Sequence, residues 1–156
     1  MMTITIKYSE VLFDLQNKNK EEVRSIEEPQ ARYLAEAGSD KIDEVARCIQ
    51  EAITNVTAMF LRFISAKENE GASDMLRNPD NVLLEFNVSE RRGAGKDEMI
   101  ADALHSLIVN LSLSKFYSTI NQTELAAKRD TLAASDTAVI NKLLYEKLPP
   151  VYPTIV

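Results

Sequence analysis

The chain of 156 residues has no tryptophan, one cysteine, one histidine and four glycines, and each scarcity removes a chemistry. Cys48 has no second cysteine with which to close an intrachain disulfide or form a redox pair, and one cysteine with one histidine cannot assemble a zinc site. An inert, buried or semi-buried thiol is the expectation for it. Basic residues are also in deficit, 18 against 24 acidic, for a net charge of -6. That balance disfavours a sequence-specific nucleic-acid reader, which needs a basic face to neutralise phosphates.

Long apolar runs are missing too. The windows "AITNVTAMFLRFI" and "ALHSLIVNLSLSKFY" are interrupted by Asn, Arg, His, Ser and Lys and fall short of the roughly 20 apolar residues that a membrane span requires. The amino-terminal stretch "MMTITIKYSEVLFDL" lacks the basic start and unbroken apolar core of a secretory leader. A cytoplasmic protein with no membrane partner is expected. With 45% hydrophobic and 27% charged residues, the chain has the make-up of a globular protein, and its length suits a single domain over residues 1–156.

Residues 3–8 alternate polar and apolar at period two, as a half-buried strand does. "EVLFDLQNK" places Val11, Leu12 and Leu15 on one helical face, and the polar "NKNKEE" after it reads as a mobile connection. The acids Glu21, Glu22, Glu27 and Glu28 read as a solvated run. A helical pattern over 21–37 should break near residue 28, before Pro29. Gly38 and Ser39 punctuate the start of a helix over about 40–68, with Ile42, Val45, Ile49, Ala52, Val56, Met59 and Phe63 along its seam.

"NVLLEFNV" is the second strand, at about 81–89, and its natural partner is the first. Residues 97–120 carry two apolar stripes, which calls for burial on more than one side and leaves an edge of Glu98, Asp102, His105 and Ser112 to water. A last helix, about 122–147, shows Leu125, Leu132 and Val139 at intervals of seven, with Asn121 and Glu124 spaced as a capping box. The expected fold is mainly α with a minor β component: an antiparallel bundle of about four helices, a two-stranded element pairing 3–8 with 81–89, and an extended arm over 149–156.

Candidate sites are few. "SERRGAGKDEM" raises the question of a phosphate loop, but a Walker A pattern would place its first glycine at Glu90 and its metal-binding hydroxyl at Asp97. Acids at both places repel phosphate. The loop reads instead as a turn into a helix whose cations Arg91, Arg92 and Lys96 form an interaction tip. His105, with Asp102 at helical spacing, fits a solvated carboxylate–imidazole pair better than a general base, because no nucleophile accompanies it. No catalytic residue, cofactor or metal is expected.

At the carboxyl end, Pro149, Pro150, Val151, Tyr152 and Pro153 form an apolar, polyproline-like segment suited to docking. The stretch "IADALHSLIVNLSLSKFYSTINQTELAAKRDTLAASDTAVINKLLYEKLPPVYP", residues 100–153, resembles small virion morphogenesis proteins of tailed phages and prophages. In that group a helix ending near an "LSKFYS"-like segment is followed by a second helix and a Tyr/Lys/Pro-rich exit. The start "MTITIKYSEVLFDLQNK", mainly within residues 1–17, is similar to prophage proteins.

The resemblance implies a head–tail connector-like or other ring-forming subunit that self-associates or meets other virion proteins, and hence a virion location. Without the resemblance the residues favour a non-enzymatic assembly protein. A small-molecule binder or enzyme with an inter-helix pocket around His105, and a helical adaptor for a partner protein, are the alternatives.

Overall fold

The computed structural model describes residues 2–70, 81–86 and 96–145. It is mostly helical with a small antiparallel sheet. Strand β1 (Met2–Lys7) runs directly into α1 (Tyr8–Val23), followed by the short α2 (Pro29–Ala35), a 3-10 turn (Ser39–Lys41) and α3 (Ile42–Met59). Strands β2 (Ile64–Glu70) and β3 (Asn81–Phe86) precede the long hairpin of α4 (Lys96–Thr119) and α5 (Thr123–Tyr145).

β1 and β3 pair antiparallel, as expected, with Ile4 opposite Leu84 and Ile6 opposite Val82. Those four side chains and Phe86 are buried while Thr3 and Thr5 face out, which is the period-two pattern expressed in three dimensions. The sheet has one strand more than anticipated. β2 pairs with the other edge of β3, with a register shift between Ile64 and Ala66, giving the order β1-β3-β2.

That strand shortens the helix expected over 40–68. Helix α3 stops at Met59, Phe60 leaves helical geometry, and the chain turns so that Ile64 can enter the sheet. Met59, read as part of the seam, is therefore half exposed, whereas Val45, Ile49, Ala52, Ile53, Val56 and Phe60 are buried.

Helix α1 is longer than expected at its end. It continues through "NKNKEE" to Val23 because Asn19 and Glu22, one and two turns beyond Leu15, point inward and are buried. The break near residue 28 is present: Pro29 opens α2 at a position where its missing amide hydrogen costs nothing. The far end of α2 is closed by Lys41, whose Nζ donates to the carbonyls of Tyr33, Leu34 and Glu36 at 2.6, 2.9 and 2.9 Å. A cation at a helix carboxyl terminus satisfies carbonyls that have no partner within the helix.

α4 is the helix that the others surround, packing on α5, α3, α1 and β1. Ile100, Leu104, Leu107, Ile108, Leu113, Phe116 and Tyr117 are all at most 1% exposed, so the double stripe does mean burial on several sides. Ser112, read as part of a wet edge, is fully buried and turns its hydroxyl back to the Ile108 carbonyl at 2.6 Å. The hairpin turn rests on Asn121, at φ 62°. The Gln122 amide bonds the Tyr117 carbonyl at 2.9 Å and the Asn121 amide bonds that of Ser118 at 3.3 Å, the two bonds of a Schellman stop. Asn121 thus ends α4 rather than capping α5, whose first bond runs from the Ala126 amide to the Gln122 carbonyl.

The arm at 149–156 and the residues Arg91 and Arg92 lie outside the described residues. Among the described residues, no helix is long and apolar enough to cross a membrane. The packing of α4 makes two outcomes measurable by urea unfolding. Leu107→Ala is expected to cost about 2–5 kcal/mol, whereas Met99→Ala, on the same helix but 54% exposed, should stay within about 0.5 kcal/mol.

Candidate functional site

Among the described residues, three places concentrate polar chemistry. The first is inside the bundle, where the apolar face of α1 (Val11, Leu15) is continued by Asn19 and Glu22. The Glu22 and Arg129 side chains are only 5% and 7% exposed and are joined by Nε and Nη2 of the guanidinium, at 2.8 and 2.5 Å from Oε1. The third arm, Nη1, donates to Asn110 Oδ1 at 2.9 Å. Tyr117 donates to the same Glu22 oxygen at 3.1 Å and accepts from Asn19 Nδ2 at 3.2 Å.

Asn19 then ties the network to the backbone at the end of α2 and just past it, donating to the Ala35 carbonyl at 2.8 Å and accepting from the Ala37 amide at 2.7 Å. Asn110 and Ser106 pass it on to Asp136 Oδ2 at 2.7 and 2.8 Å. Lys128 Nζ lies 3.5 Å from Glu22 Oε2, an oxygen that accepts no hydrogen bond. Burial first, and the Glu22 charge second, push the Tyr117 hydroxyl well above its ordinary titration range. A phenol so held is neither acid nor base near neutral pH, and the network is a structural pin rather than a reacting centre.

Sequence reasoning placed Glu22 in a solvated run and did not single out Arg129. The signal was present: Val11, Leu15, Asn19 and Glu22 are spaced four, four and three apart, so the polar pair continues the apolar face.

The second place is a cleft of about 480 Å³ between β1, the first half of α1 and the first half of α4. His105 Nε2 lies 2.6 Å from Asp14 Oδ2, so its partner is on α1 and not Asp102 one turn back on its own helix. Asp102 lines the same cleft, together with Glu10, Phe13 and the Thr5 and Ser9 side chains. Lys96, a candidate of the cationic tip, is the first residue of α4 and is half-buried.

The third is a polar groove beside α3, where Lys115 and Glu51 pair at 3.2 Å, with Arg47, Gln50, Thr54 and Asn55 along it. Cys48 is buried on the same helix. Its thiol is pushed up to about 11, chiefly by burial and then by the Glu51 carboxylate, against which Lys115 pulls it down.

Among the described residues, no group of three or more His, Cys, Asp or Glu side chains is placed to hold a metal ion. No protein-family model, curated protein or solved structure matches the chain.

Breaking the buried pair leaves an uncompensated charge, so Arg129→Met should cost about 3–5 kcal/mol in urea unfolding, and Tyr117→Phe about 1–2 kcal/mol. A loss under about 1 kcal/mol for Arg129→Met would remove the pin from the account. For Cys48 the thiol is neutral in both states below the ordinary value of 9.0. As pH rises from there towards about 11 the unfolded chain ionises first, so this group's contribution to stability declines over that window. A disulfide reagent at pH 8 should label Cys48 in native protein far more slowly than in urea.

Proposed function

We propose that this protein is a non-enzymatic assembly subunit that associates with copies of itself. The carrying observation is the surface of α5. Leu125, Leu132 and Val139 follow at intervals of seven down one side of this helix, and Leu132 and Val139 are 39% and 46% exposed. α5 packs extensively only on α4 among the described elements, so Leu125 packs against the core while Leu132 and Val139 are left exposed. Their position on a helix held from inside by Arg129 gives them a defined orientation, which a repeated contact between copies needs.

Further support comes from the end of the bundle. Met59, Leu61 and Tyr145 are exposed at 50%, 67% and 54%, with Tyr145 set edge-on against Phe63. Large outward apolar groups in more than one place favour an assembly with several contacts over a single pairwise one. Head-to-tail contacts between different surfaces close into rings when the rotation allows, and a ring-forming virion subunit of the head–tail connector kind is the form that the sequence resemblance adds. Arg91, Arg92 and the segment Pro149–Pro153 are further contact elements within this proposal.

Native mass measurement and light scattering of the full chain are expected to show an oligomer. Leu132→Asp with Val139→Asp should reduce it at least tenfold in association constant while leaving the circular dichroism of the folded protein unchanged. A strict monomer at high concentration, with or without residues 149–156, would count decisively against assembly.

A further inference from the structure

The cleft beside His105 has a composition that assembly does not call upon, and we propose that it binds a small organic cation: a protonated amine or guanidinium carrying an apolar body. This inference stands apart from the assembly reading, since none of the cleft's lining residues belongs to α5. At about 480 Å³ the space is in the range of small-molecule pockets rather than of packing voids.

Its charge is one-sided. Glu10, Asp14 and Asp102 line it, and among the described residues the only lining group able to carry a positive charge is His105. That histidine is held by Asp14 at 2.6 Å, so even when protonated it offsets one carboxylate and leaves two. A concave wall with an excess of one sign concentrates counter-ions of the other. Lys7, which pairs with Glu10 at 3.9 Å from an exposed position, is not a lining residue and makes only a loose pair there.

Two observations decide what kind of cation fits. The carboxylates do not converge as metal ligands do, for no group of three among the described residues could hold a metal ion. A compact, strongly hydrated divalent ion would therefore lack its coordination shell. In the same wall stands Phe13, an aromatic ring left 65% exposed. A ring face attracts weakly hydrated organic cations and covers their apolar parts, while the Thr5 and Ser9 hydroxyls in the lining can accept remaining N–H donors. Carboxylates spread around a cleft with an aromatic wall match a ligand that is long enough to touch both.

The test uses the full chain and three probes of similar size: benzylammonium, phenylguanidinium and the neutral benzyl alcohol, each titrated at low ionic strength while the His105 ring and Ala101 methyl signals are followed by NMR. The two cations are expected to give saturable shifts at these positions, and benzyl alcohol to bind at least about fivefold more weakly. Phe13→Ala should weaken the cations about two- to fivefold, and Glu10→Gln with Asp102→Asn at least about fivefold, whereas Glu51→Gln on α3 should leave them unchanged. All the substituted positions lie outside the buried Glu22–Arg129 network, and circular dichroism checks that each variant folds. The proposal is overturned if neither cation saturates, if the alcohol binds as well, if the shifts map away from the cleft, or if the cleft variants bind as the parent does.

Discussion

A single carboxylate, that of Glu22, fixes how three of the helices meet. It comes from the last turns of α1, accepts from Tyr117 on α4 and receives two arms of the Arg129 guanidinium from α5. Removing a carboxylate and a guanidinium from water is costly, and the cost is offset only when the geometry supplies most of their hydrogen bonds. Here Arg129 uses Nε, Nη1 and Nη2, and Lys128 stands at the outer oxygen. Apolar side chains tolerate sliding past one another, but this set of bonds is satisfied in one relative position. The hydrophobic core supplies the driving force for packing, and the polar pin selects the packing.

Much of the architecture could be read from periodicity. The pairing of the first strand with "NVLLEFNV", the break at Pro29, the depth of α4 and the helical hairpin all follow from local patterns that the packed structure keeps. The departures have physical causes of two kinds. Where polar residues occupied inward positions, hydropathy pointed them to water: Asn19 and Glu22 because a single chain does not display the partners that Tyr117 and Arg129 provide from about 100 residues away, and Ser112 because its hydroxyl is satisfied by the Ile108 carbonyl one turn back. Where an edge of β3 stood open, β2 was recruited from residues that continued a helical pattern, since pairing along a strand outweighs weak helix propensity at a helix end.

The candidate sites divide along the same line. His105 was legible as a polar group near acids, but its partner came from α1 and not from its own helix, a tertiary fact. The cleft depends on the angle between β1, α1 and α4, which no local pattern encodes. The α5 strip was visible as an interval of seven, though only the packed fold shows that Leu125 joins the core while Leu132 and Val139 stay exposed. Interior polar groups are committed to holding the helices, and the groups with free capacity lie on the outside: an apolar strip on one helix, and an acidic, aromatic-walled cleft among others. Separate substitutions can address each.

The order of the sheet also governs how the chain reaches its shape. β3 is the middle strand, yet it is the last of the three to be synthesised; β1 precedes it and is without this partner until residues 81–86 exist. Loop closure over such a separation is slow compared with the winding of α4 onto α5 across the short turn Ile120–Gln122. The helical hairpin is thus built from contacts close in sequence, while the sheet draws the two sides of its β1–β3 ladder from distant parts of the chain.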